Sequence, residues 1–222
     1  MTSGIRWTLW LVFLTFMNDA PAQALTIGLP ASDTNRYPFS GCIFGQACNH
    51  YQQVYDQDEF PGPITITGIS FQGGTGVLAS GTYSLSLSTT QAPVDALDTT
   101  DFGSNLGADN SVFSVRVLTG GLAPSVLSFF GTPFHYDPSD GNLLLDIAVT
   151  GFVEGTATYL AHNGSAAGVF SRAHNFGTFG YEGYGLVTTF VPEPDVPLLL
   201  IATLLGASAR RTNLSPPRRR VA

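Results

Sequence analysis

Cys42 and Cys48 are the only cysteines of the chain, and five residues separate them. In an oxidising compartment such a pair closes a local disulfide, and a seven-residue loop closed this way stabilises a fold by about 2.4 kcal/mol in the chain-entropy model. The alternative is a metal site completed by His50, but two thiols and one imidazole lack the usual fourth ligand of a zinc centre. Acidic residues gather in loops: Asp56, Asp58 and Glu59; Asp95, Asp98 and Asp101; Asp137 and Asp140. Carboxylates on flexible loops suit calcium. Asp95, Asp98 and Asp101 are the candidate set, although no run fits the EF-hand spacing. Solvated loop charge is the competing reading, and the residues suggest no other cofactor. His50, His135, His162 and His174 stand in no H-E-x-x-H context, and Gly164-Ser165 lacks the second glycine of a nucleophile elbow. Tyr159, Phe170, Phe176, Phe179, Tyr181 and Tyr184 crowd one region. They read either as a surface that stacks on sugar faces or as edge and core packing.

The elements that must position these residues read as strands. Ile64 and Ile66, then Ile69 and Phe71, alternate with polar residues, with Gly68 where the parity changes, which marks a bulge. Tyr83, Leu85 and Leu87 alternate with serines, and Phe113, Val115 and Val117 do the same around Ser114 and Arg116. Residues 143–152 form a longer run in which Leu143, Leu145, Ile147 and Val149 face opposite to Leu144, Asp146 and Ala148. Residues 156–161 and 186–191 are two further strands. Turn clusters lie between them at Gly73-Gly74-Thr75-Gly76, Asp137 to Asn142 and His162-Asn163-Gly164. No stretch shows a capped 3.6-residue period. The pattern predicts an all-β body, an antiparallel β-sandwich or jelly roll, over residues 25–190.

Charged residues make up 11% of the 222, and lysine is absent. Between Leu25 and Val191 three arginines face thirteen acids, a net of −10, which repels phosphate backbones and excludes nucleic acid as a partner. The ends differ from the body. Arg6, the apolar run Trp7 to Met17 and Ala22-Gln23-Ala24 have the order of a secretory signal peptide over residues 1–24, cut by signal peptidase after Ala24 or, from Ala20-Pro21-Ala22, after Ala22. A membrane anchor or buried helix is the alternative. Residues 196–209 are apolar apart from Thr203 and Ser208, and as a helix they span about 21 Å, short against roughly 30 Å of hydrocarbon. Snorkelling arginines and local thinning of the bilayer accommodate a short segment. The basic tail at 210–222, with Arg210, Arg211, Arg218, Arg219 and Arg220, gives the positive-inside asymmetry of an outside-to-inside transmembrane helix.

The order Val191-Pro192-Glu193-Pro194, apolar segment and basic cluster resembles the PEP-CTERM sorting signal of bacterial exosortase substrates, over residues 191–222. The tail after Arg211 is longer than is usual for that signal. Tyr51-Gln52-Gln53-Val54-Tyr55 and the stretch from Phe134 to Ile147 also look like phrases of exported members of the group. The resemblance implies cleavage near the motif by a membrane-embedded exosortase. A precursor held transiently at the inner membrane then releases its body to the cell surface or an exopolysaccharide matrix. A proline-rich linker before an ordinary anchor is the alternative reading of the motif. For the body the expectation is a non-catalytic structural or weakly glycan-binding role, not an enzyme. The other class is a secreted hydrolase acting on polysaccharide, which needs two carboxylates roughly 5 to 10 Å apart in a cleft.

Overall fold

The computed structural model describes residues 23–163, 168–177 and 181–193. In chain order its strands are β1 (Leu25–Ile27), β2 (Asp33–Asn35), β3 (His50–Tyr55), β4 (Ile64–Gln72), β5 (Ser80–Thr90), β6 (Ser111–Thr119) and β7 (Val126–Tyr136). Then follow β8 (Asn142–Val153), β9 (Tyr159–Asn163), β10 (Phe170–His174), β11 (Tyr181–Glu182), β12 (Tyr184–Leu186) and β13 (Thr188–Pro192). Every ladder between them is antiparallel. A four-stranded sheet has the order β1-β13-β4-β7, a six-stranded sheet the order β11-β10-β3-β8-β5-β6, and a three-stranded sheet the order β12-β9-β2. The fold is all-β and sandwich-like. Among the described residues the only helical pieces are 3-10 turns of three or four residues, and no helix is long and apolar enough to cross a membrane. The expected signal and transmembrane segments lie outside the described residues.

Alternation decides which face each strand buries. On β5, Tyr83, Leu85 and Leu87 are fully buried, as are Leu143, Leu145 and Ile147 on β8. They meet Ile66, Ile69 and Phe71 of β4 and Phe129 of β7 in one apolar cluster between the two larger sheets. Aromatic rings fill its two ends. Phe39, from the 36–49 loop, packs 4.9 Å from Phe71, 5.7 Å from Tyr83 and 5.5 Å from Tyr159 between centroids. Phe190 of β13 lies edge-on to Tyr55 at 5.0 Å and beside Phe60 at 5.6 Å.

The expected parity change at Gly68 is present: the β4–β7 register shifts between Ile66 and Gly68. Strand β6 departs from the expectation that Phe113, Val115 and Val117 share a buried face. Leu85 pairs with Ser114 and Ser86 with Val112, so Phe113 is an extra residue and the parity reverses there. Phe113 and Leu118 point into the core, while Val112, Val115 and Val117 are 57%, 62% and 64% exposed. The reversal turns Ser114 and Arg116 toward β7. Ser114 Oγ donates to the Phe130 carbonyl at 2.9 Å and Arg116 Nη1 to that of Ser128 at 2.7 Å, closing the side of the sandwich. Gly131 makes this approach feasible, because a Cβ there would collide with the Phe113 carbonyl oxygen. The C-terminal boundary also moves: β13 runs on to Pro192, past the expected end of the body at 190.

Candidate functional site

The polar side chains of the body converge on the outer face of the six-stranded sheet. Register places Gln52 of β3, Asp146 of β8 and Ser86 of β5 in one row, with His50, Ala148 and Ser84 in the next row on the same face. The 91–107 segment covers one end of this face. Its Leu97, with the partly buried Ala92, Val94, Phe102 and Leu106, packs on Val54, Leu144 and Ala173. Asp146, in the middle of the apolar run of β8, is the hub at the border of this cover. Its Oδ1 accepts from Gln52 Nε2 at 2.8 Å and lies 2.6 Å from His50 Nε2. Gln52 Nε2 also donates to the Phe102 carbonyl at 2.9 Å, and Asn105 Nδ2 donates to Gln52 Oε1 at 2.7 Å. Asn105 in turn holds Asp98 through both its amide groups at 2.8 Å. Its carbonyl accepts from Thr90 Oγ1 at 2.6 Å. The His50 ring stacks on Phe102 at 4.3 Å, with 11° between planes.

A carboxylate beside a partly exposed imidazole is the equipment of proton transfer. Nucleophilic catalysis further needs a hydroxyl or thiol on the imidazole. Among the described residues no such group bonds His50. Asp146 instead accepts from the residues that fasten the cover, so the cluster is a staple between sheet and segment. The signal in the sequence is the single carboxylate within Leu143-Leu144-Leu145-Asp146-Ile147, because a carboxyl set in a buried strand needs partners. Nothing comparable marks Gln52, Asn105 or Phe102. Beyond His50 the face is open, with Thr82 and Ser84 beside the exposed Val117 and Val115 of the neighbouring strand.

The calcium candidates lie in the covering segment and serve its backbone. Asp98 Oδ1 accepts from the Asp101 amide at 2.9 Å, the Thr100 hydroxyl at 2.8 Å and the Thr100 amide at 2.7 Å. These bonds, the Asp101 amide first, lower the Asp98 carboxyl from its ordinary value to about 2. Asp101 caps the 3-10 turn at Phe102–Asn105 through the Gly103 amide, and the Asp95 amide donates to Ser171 Oγ. Asp56 and Asp137 cap two further turns in the same manner, and the bonds from Ser139 lower the Asp137 carboxyl. Among the described residues no three His, Cys, Asp or Glu side chains gather as metal ligands.

Cys42 and Cys48 form the disulfide, with Cα atoms 5.7 Å apart, so their sulfurs are joined and His50 turns to Asp146. The loop is tied down by the Ile43 amide on the Phe176 carbonyl at 2.9 Å and the Cys48 amide on that of Asn175 at 3.0 Å. A turn closes from the Gln46 amide to the Ile43 carbonyl, with Gly45 at φ +87°, and leaves Phe44 at its corner fully exposed. The histidines stay apart. His135 approaches Thr65 at 3.4 Å, His162 lies 3.0 Å from the Pro30 carbonyl, and His174 is buried against Tyr37. Tyr159, Phe170 and Phe176 are core rings, and Tyr184 faces the Arg172 guanidinium at 4.4 Å. Phe179 and Gly164-Ser165 lie outside the described residues.

Ala24 is exposed immediately before β1. Val191 and Pro192 end β13, paired with Gly68 and Ile66, and Glu193 donates its amide to the Thr65 carbonyl at 2.8 Å. Ala22, Pro194 and the five terminal arginines lie outside the described residues. The chain matches no protein-family model, no curated protein and no solved structure.

Proposed function

We propose that the chain is an exported protein, sorted by an exosortase through its C-terminal tag. Its β body then serves at the cell surface or in an exopolysaccharide matrix, in a non-catalytic structural or weakly glycan-binding role. The observation that carries the reading is the position of the motif: the last described strand, β13, ends at Pro192 within Val191-Pro192-Glu193-Pro194, so the motif sits at the end of the folded body. The organisation of the body supports the non-catalytic part, because His50, Asp146, Asp98 and Asp101 all hold the cover or its turns. The signal peptide directs export, the 196–209 segment tethers the precursor in the inner membrane, and signal peptidase and exosortase are its processing partners. Residues 188–222 fused to a secreted reporter in an exosortase-bearing host test the sorting. Loss of the tail and release of the reporter are expected; a full-length, membrane-bound reporter sinks the reading.

A further inference from the structure

We infer that the folded body sets the upstream limit of tail removal at Glu193. The inference rests on the sorting reading and deepens it by locating the processing site. The motif is not free chain throughout. Pro192 is buried, Val191 and Pro192 lie on Gly68 and Ile66 of β4, and the register shifts between them. Thr67 Oγ1 reaches the carbonyls of both Val191 and Pro192 at 3.2 Å, and the Glu193 amide closes on the Thr65 carbonyl at 2.8 Å. Upstream, residues 188–190 are paired on both sides, with β1 and β4, and Phe190 is fully buried. A peptidase takes its substrate as extended chain and binds the backbone groups that these contacts occupy. Cleavage within such a segment samples only its opened state. Removal of the tail adds water across one peptide bond, leaving a carboxylate on the body and an amine on the tail. With β13 in place, that bond is the one following Glu193 or a later one. The first half of the motif is a strand end, and cutting is confined to the bonds after it.

The full chain, produced in an exosortase-bearing host, provides the test, with the released body weighed by intact mass spectrometry. Bodies ending at Glu193 or later are expected, and a body ending at Pro192 or earlier overturns the limit. Hydrogen exchange on the unprocessed full chain in detergent micelles is the second arm. The Glu193 amide should exchange at least roughly tenfold slower than in a peptide of residues 188–222. Equal rates overturn the inference. In Thr67→Val the amide should speed up while the far-UV dichroism stays unchanged. If no body is released at all, the sorting reading falls and this limit with it. Release with an early C-terminus removes the limit alone.

Discussion

Among the described residues, Tyr159 and Asp98 mark two extremes of how a polar side chain is satisfied. Tyr159 is fully buried in the aromatic cluster, and its hydroxyl has no hydrogen-bond partner among the described residues. Burial pushes its phenol up to about 12. Because an unpaired buried hydroxyl costs free energy, Tyr159→Phe should leave the melting temperature unchanged or raise it. A clear fall in the thermal melt would show that the hydroxyl contributes. Asp98 is the opposite case. Its carboxyl is held at about 2 in the fold against an ordinary 3.8, so its charged form stabilises the native state. That contribution is fully present above pH 4 and is lost as pH falls toward 2. Melting curves between pH 5 and 2 should therefore fall more steeply for the wild-type chain than for Asp98→Ala.

Elements are fastened to one another at two places that substitution can reach. The 91–107 segment is fixed to the sheet through Gln52, which bonds the Phe102 carbonyl and Asn105 and is itself held by Asp146, as is His50. Asp146→Ala removes this acceptor from Gln52 and His50 in a largely buried site and should cost about 2–3 kcal/mol. For a body of this size that lowers the melting temperature by roughly 4–12 °C. Proteolysis within 91–107 should accelerate in the same variant, and an unchanged cleavage rate would show that the cover is held without Asp146. The disulfide fastens the 42–48 loop beside the end of the core that Phe39 fills. The double variant Cys42→Ser, Cys48→Ser should lose about 2.4 kcal/mol, the loop-closure contribution, measured by urea unfolding. An equal loss on adding reductant to the native protein would assign the effect to the bond and not to serine.

For the whole molecule, the order of strands matters more than any one contact. The first and last described strands are neighbours, β1 against β13, and β13 lies between β1 and β4. The last described strand is therefore inserted inside a sheet, which makes completion of the fold depend on residues 188–192. Phe190 is the anchor of that strand, edge-on to Tyr55. Phe190→Ala should cost about 3–5 kcal/mol, lowering the denaturation midpoint of the whole body in one transition. A variant in which β13 exchanges rapidly while the remaining strands stay protected would show that the C-terminal strand unfolds by itself.

The amino-acid sequence alone was sufficient for the class of fold, for six of the thirteen described strands and for the pairing of the cysteines. Period-2 alternation is a local property, and Tyr83-Leu85-Leu87 or Leu143-Leu145-Ile147 carry it within a few residues. Two cysteines in one short loop leave a single possible pair. Strand β3 was visible only as the phrase Tyr51-Gln52-Gln53-Val54-Tyr55, because both its faces are buried and its alternation is masked by glutamines with partners. Strand β7 was hidden by Gly131 and Pro133, which interrupt its run. The outward turn of Val115 and Val117 was decided by the bulge at Phe113, which exists only because β6 pairs with β5. The same holds for the staple. Gln52, Asn105 and Asp146 are far apart in sequence and meet through strand register and the fold-over of the 91–107 segment. Local spacing determines periodicity and turn chemistry. Which polar groups become partners, and where the chain after Pro192 leaves the last strand, are properties of non-local pairing, and those the tertiary structure alone decided.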